Sequence, residues 1–277
     1  MQISVSSYSF SKMNTSPVQR LRLAKELGFA AIEFTDVDIQ TANRLREESE
    51  RLDFPIICYT VGADFLQAES IEAEAERLCK QVDIANILGV YQMRHDATRG
   101  FQPFRAAHSS FAEALPLLAK GCRMVSEYAA EKSVMTMVEN HGFFCQDSGR
   151  IAALVGATSH PNFGALVDIG NFMCADEDPA TATGNIAALA LHVHAKDFHV
   201  KPGTGDDPGK GWFKSRGGNY LRGAIIGHGN VPVRQCLGNL KRAGYDGYVS
   251  IEFEGMEDCG QALAIGLENL ERLITSA

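Results

Sequence analysis

The stretch LALHVHAKDFH, residues 189–199, alternates Leu191, Val193 and Ala195 with His192, His194 and Lys196. A period of two is the signature of a β-strand. One face is apolar, and the other carries two imidazoles and an ammonium. Turned into a protein interior, that second face needs a charge partner. The rest of the chain has to supply both the sheet around this strand and that partner.

Outward from residue 189, strand-like and helix-like runs take turns. ISVSSYSF (3–10), AAIEF (30–34), FPIICYTV (54–61) and VYQMRH (90–95) read as strands one to four. SVMTMVEN (133–140), FGALVDIG (163–170), LHVHAKDF (191–198) and GYVSIEFE (247–254) read as strands five to eight. Between them lie runs with apolar residues at helical spacing. One opens at Ser16 and Pro17 and stops at Gly28; another runs from about 71 to 88 and ends at Gly89. A third covers about 106–131, with Pro116 starting or kinking it. Later helices end at Gly244 and run over about 259–275. Eight strands, each followed by a helix, predict a (β/α)8 TIM barrel, one α/β domain over 1–277. An open doubly wound sheet would carry a Gly-rich first turn. The first turn here, SYSFSKMN, has no glycine.

One region breaks the rhythm. Residues 199–230 hold nine glycines and the only tryptophan. They follow strand seven, on the side where barrel loops form an active-site face. The interleaved Trp212, Phe213 and Tyr220 argue for order, so an active-site loop that covers substrate is expected.

Bulk properties exclude several classes. The net charge is −8, and no basic stripe is present to meet phosphates, so no nucleic-acid partner is expected. EESE (47–50) and EAEAER (72–77) read as solvated helix faces. Seven cysteines, an odd number with no CxxC pair, argue against a disulfide framework and against a four-cysteine zinc site. A reducing, cytoplasmic location is the expectation. The N-terminal run has neither the basic nor the apolar region of a signal peptide. No apolar run approaches the ~20 residues of a membrane span, so no membrane partner is expected.

Barrel strands aim their C-terminal ends at the catalytic face. Strand five ends in Glu139, six in Asp168, seven in His194 and eight in Glu252. Each follows an apolar run. Three carboxylates brought together would repel, and a divalent cation removes that conflict. Three carboxylates and one imidazole form a hard, oxygen-rich set that suits Mn2+ above all, with Mg2+ or Co2+ as alternatives. His192, one pleat deeper, reads as a satisfied core histidine.

The ordered set Glu139, Asp168, His194 and Glu252 resembles the metal site of the xylose-isomerase-like TIM barrel superfamily of sugar (phosphate) isomerases and epimerases. HVHAKD, GYDGYVSIEFEG and the run-in GHGNVPVRQCLGNLKRAGYDG carry the likeness most specifically. It covers nearly the whole chain, is specific from about residue 133 onward, and lies nearest the ketose 3-epimerase and inosose dehydratase branches. The resemblance implies one divalent ion held by those four residues. It also implies that Glu139 and Glu252 double as catalytic groups, one removing a proton next to a carbonyl to give an enediolate and the other returning it from the opposite face. There are departures. Asn171 stands where the 3-epimerases usually have a histidine, Val200 stands where they tend to have an arginine, and the 199–230 loop is longer. These leave the metal set intact and bear on the substrate.

Around that set, Lys196 shares the face of His194 and could hold a substrate oxygen, or could snorkel to the surface. His141 shares the face of Glu139 and could be a further acid or base. Asn171 and Arg216 complete the expected substrate-binding group, Arg216 as a phosphate contact. Glu254 reads as a rim residue and Asp197 as a loop cap. Tyr8, Phe34 and Phe65 could line a sugar pocket, or the core. The expected activity is that of a metal-dependent sugar isomerase or epimerase. The alternative is a dehydratase or lyase on a keto-sugar or keto-inositol, with His141 as its acid. A phosphodiesterase of the endonuclease IV type would need more histidines, and a non-catalytic barrel would not need all four ligands. The expected partner is a small carbohydrate. Oligomeric state stays open, since large barrels often pair, as dimers or tetramers.

Overall fold

The computed structural model describes residues 1–101 and 110–277. In chain order the strands are Gln2–Ser6 (β1), Ala31–Thr35 (β2), Ile56–Val61 (β3), Gln92–His95 (β4), Met135–Glu139 (β5), Phe163–Asp168 (β6), Ala190–Ala195 (β7), Asp197–Lys201 (β8), Phe213–Lys214 (β9), Tyr220–Ala224 (β10) and Tyr248–Ile251 (β11). The helices are Pro17–Glu26 (α1), Ile39–Leu52 (α2), Ile71–Leu88 (α3), Phe111–Glu131 (α4), Ser148–Thr158 (α5), Pro179–Ile186 (α6), Val233–Arg242 (α7) and Cys259–Thr275 (α8). Strands β1 to β7 and β11 close into a parallel barrel, β11 lying between β7 and β1. This is the (β/α)8 barrel the alternation predicts, and β11 is its eighth strand.

Helix starts are written in the sequence. Ser16 caps α1 in a capping box with Gln19, and Ser110 does the same for α4 with Glu113. Asp38, Ser70, Asp147, Asp178 and Asp258 cap α2, α3, α5, α6 and α8. The helix expected from about 106 is described from Phe111; the earlier residues lie outside the described ones. Pro116 sits inside α4 rather than at its start. Strand one stops at Ser6, not Phe10, and Ser7–Phe10 form a 3-10 turn. Serine hydroxyls win there. Ser7 Oγ accepts from the Thr35 N–H (3.1 Å), while Ser9 Oγ donates to the Ile251 carbonyl (3.1 Å) and accepts from Phe253 N–H (2.9 Å).

The main core lies between barrel and helices. His95 belongs to it: fully buried, it stacks on Phe163 and meets Phe65 edge-on, each at 6.0 Å between centroids. Inside the barrel the side chains layer. Cys58, Met137 and Leu166 form an apolar patch. A buried polar set includes Ser4, Glu33, His192 and Ser250.

Residues 199–230 contribute to a small three-stranded sheet outside the barrel. β10 pairs antiparallel with β8 and with β9. Lys201 and Arg222 each lie over the Trp212 ring, at 5.1 and 5.6 Å. Asp197 anchors the excursion. Its buried carboxylate accepts N–H groups from Phe198, Gly227, Gly229 and Val231 at 2.8–3.0 Å. A Cβ at Gly229 would meet that carboxylate at 2.1 Å, so only glycine fits.

Candidate metal centre

Parallel register sets the site. Asp168 on β6 pairs with His194 on β7, Ile251 pairs with Ala195, and the Glu252 N–H bonds the Ala195 carbonyl. The ends of β5, β6, β7 and β11 therefore converge at one mouth. One donor atom from each of Glu139, Asp168, His194 and Glu252 lies within 4.8 Å of all the others. His194 Nδ1 is 3.5 Å from Glu252 Oε2 and 3.9 Å from both Glu139 Oε1 and Asp168 Oδ2.

Those atoms suit a metal ion. Asp168 Oδ1 is satisfied by the Gly170 and Asn171 N–H groups, whereas buried Asp168 Oδ2 and His194 Nδ1 make no hydrogen bond. Charge agrees. Glu33, Glu139, Asp168 and Glu252 bring four negative charges to the lumen, and Arg94 and Lys196 bring two positive ones. A divalent cation would offset that excess of negative charge. Crowding shifts the protonation equilibria of these groups. Burial, together with the Glu139 and Glu252 charges, pushes Asp168 up to about 6 against the pull of Lys196. Burial works against the charged forms of His194 and Lys196, but the carboxylates around them outweigh it and raise both well above their usual range. Burial likewise opposes the Glu252 carboxylate, and the Lys196 and His194 charges hold it well below the usual range.

Lys196 is buried, not snorkelling. Its Nζ lies 2.6 Å from Glu252 Oε2, 3.2 Å from Asp168 Oδ2 and 3.3 Å from Glu254 Oε1, and donates to Asn171 Oδ1 at 3.1 Å. Asn171 Nδ2 donates to Glu139 Oε1 at 3.0 Å, so its amide spaces Lys196 from Glu139. His141 Nδ1 lies 2.8 Å from Asp96 Oδ1 and its ring is half-exposed. Burial disfavours its charge, but the Asp96 hydrogen bond outweighs that and raises the His141 pKa. Arg216 is placed elsewhere. It binds Asp147 Oδ2 (3.0 Å) and the Phe143 carbonyl, tying the 199–230 excursion to the β5–α5 loop.

Three residues that sequence reasoning did not single out complete the mouth. Arg94 Nη2 lies 2.6 Å from Glu139 Oε2 and donates to Asp96 Oδ1 at 2.7 Å. Asp96 thus joins Arg94 to His141. Glu33, on β2, reaches both histidines: Oε2 accepts from His192 Nε2 at 2.7 Å, and Oε1 lies 2.7 Å from His194 Nε2. The core-histidine reading of His192 therefore holds, with Glu33 as its partner.

The cleft above the set measures about 300 Å3 and is lined by Tyr8, Thr60, Arg94, His141, His194 and Glu252 among others. Phe213 of the excursion walls an adjoining cavity of about 190 Å3 that shares Tyr8 and Glu254 with the cleft. No residue of 199–230 lines the cleft itself. Phe34 and Phe65 are core residues, and Tyr8 is the one of the three aromatics that lines the cleft. A larger groove of about 610 Å3, around Phe54, Tyr91 and Tyr248, contains none of the four clustered residues. No helix among the described residues is long and apolar enough to cross a membrane.

The family model described as xylose isomerase-like TIM barrel matches residues 21–273. No curated protein matches. Solved structures share the fold. The probable 3-DHS dehydratase of Bacillus anthracis is 19% identical with a TM-score of 0.77, covering 98% of this chain and 99% of its own. L-ribulose 3-epimerase is 16% identical with a TM-score of 0.78, covering 99% and 95%. A xylose isomerase-like protein from Mycobacterium smegmatis, in complex with magnesium, is 16% identical with a TM-score of 0.74, covering 99% and 97%.

Proposed function

This chain belongs to the xylose isomerase-like TIM barrel family, and on that footing we propose that it is a divalent-metal-dependent isomerase or epimerase of a small carbohydrate. The observation that carries the reading is the convergence of Glu139, Asp168, His194 and Glu252 at one mouth within 4.8 Å. A bound Mn2+, Mg2+ or Co2+ ion would polarise a substrate carbonyl and acidify the adjacent C–H. Glu252 meets His194 and Lys196 through Oε2, so Oε1 is the oxygen left to take that proton. Glu139 stands across the cluster on β5 and returns a proton from the other side, with Arg94 restraining its Oε2. The Lys196 ammonium stabilises negative charge on the enediolate.

A specific feature supports a second reading, dehydration. His141, oriented by Asp96 and raised in pKa, can give a proton to a leaving hydroxyl. The test uses chelator-stripped protein, reloaded with Mn2+, in D2O with ketoses, ketose phosphates and keto-inositols. Deuterium uptake without loss of water is expected. Loss of water selects dehydration, and metal binding without exchange on any substrate overturns both.

A further inference from the structure

Glu33 is fully buried on β2, and two strands, β1 and β11, separate it from β7 around the barrel. Its carboxylate crosses the lumen to reach both β7 histidines. Oε2 takes the His192 Nε2 proton at 2.7 Å and a Ser250 hydroxyl at 3.1 Å. Oε1 stands 2.7 Å from His194 Nε2. Neither of these two atoms makes a hydrogen bond with regular geometry, but a carboxylate only accepts, and two facing lone pairs at that distance would repel, so the contact favours hydrogen on Nε2. The neutral ring then carries its lone pair on Nδ1. That is the atom facing Glu139, Asp168 and Glu252, and it makes no hydrogen bond of its own.

We infer that Glu33 is a positioning residue that selects Nδ1 of His194 as the metal-binding nitrogen and holds the ring toward the three carboxylates. The inference rests on the metal-site reading above. A carboxylate behind a metal-binding imidazole fixes its tautomer and strengthens it as a ligand. Here a single carboxylate also fixes the ring beneath. His192 locks Oε2, which leaves Oε1 to His194.

The test is Mn2+ binding by calorimetry to chelator-stripped wild type and Glu33→Gln, with the thermal midpoint of each metal-free protein measured alongside. Glu33→Gln should raise the Mn2+ dissociation constant by about 10- to 100-fold. An unchanged constant in a folded variant, even one with a lower midpoint, overturns the inference and leaves Glu33 as a support for His192 alone. Absence of Mn2+ binding by wild type instead overturns the metal reading beneath it. Should Glu33→Gln not fold, long-range 1H–15N correlation on Mg2+-loaded wild type decides. Hydrogen on His194 Nε2 is expected, and hydrogen on Nδ1 overturns the inference.

Discussion

His95 offers a sharp test of how the barrel wall is built. Burial pushes its pKa down to about 4, even though the hydrogen bond from Nδ1 to the Asp96 carbonyl (2.8 Å) favours the proton. Its Nε2 is buried and makes no hydrogen bond. The unfolded imidazole titrates near 6.5. As pH falls below that value, the unfolded chain takes up a proton that the folded chain resists. The contribution of His95 is thus complete above about pH 6.5 and is lost as pH falls toward 4. At about 1.36 kcal/mol per pH unit, acidification from pH 8 to 4.5 removes about 2.5 kcal/mol through this one residue. That is a large share of a typical folding free energy of about 5–15 kcal/mol. The assay is urea unfolding at both pH values, with chelator present, for wild type and His95→Gln. Glutamine keeps an N–H for the Asp96 carbonyl and does not titrate. The variant should start less stable and then lose about 2.5 kcal/mol less on acidification. Equal losses in the two proteins would refute the reasoning and show that His95 is protonated, or solvated, in the folded state.

Further outcomes follow from the mouth of the barrel. Mn2+ at about 100 times its dissociation constant adds about 2.7 kcal/mol, which for 277 residues raises the melting midpoint by about 5 °C. Calorimetry should show most of that rise gone in Asp168→Asn; an undiminished rise would place the ion elsewhere. Lys196→Met should cut kcat by about 100-fold or more while Mn2+ binding persists, measured by turnover beside titration. Unchanged turnover would reduce Lys196 to charge balance for Glu252 and Asp168. Arg216→Ala should cost at most about 1 kcal/mol, because its pair with Asp147 is partly exposed, yet speed proteolysis within residues 199–230. Unaltered cleavage would mean that the tie to Asp147 and Phe143 does not restrain the excursion.

The barrel was legible because most strands are apolar runs and seven of the eight described helices open on a serine or aspartate cap, α7 being the exception. The four candidate ligands stood out for a related reason: each lies where a parallel strand finishes at the catalytic face of the barrel. Glu33 gave no such sign. In AAIEF it precedes Phe34 and looks like any half-exposed glutamate. Only barrel closure, which turns one face of β2 into the lumen, shows that it must meet β7. Arg94 was hidden by a question of facing. VYQMRH contains both an arginine and a histidine, and period two permits only one of them to point inward. Arg94 does, and His95 packs against Phe65 and Phe163. Arg216 looked like a phosphate contact because it sits beside two glycines; its partners, Asp147 and the Phe143 carbonyl, lie about seventy residues away in sequence. The sheet β8–β10–β9 was invisible for want of alternation, since glycines interrupt it.

The four N–H groups gathered by Asp197 bring the start and the end of the excursion to one carboxylate. The barrel thus sees a closed ring whose circumference it does not measure. Neither lengthening the segment beyond Lys201 nor trimming it before Tyr220 unties that knot, and each doubling of free loop costs only about 0.6 kcal/mol in closure entropy. The wall that Phe213 presents beside the mouth is therefore an interchangeable part. Segments of other lengths grafted between those ends would reshape the space beside Tyr8 and Glu254 without disturbing the strands that carry Asp168, His194 and Glu252.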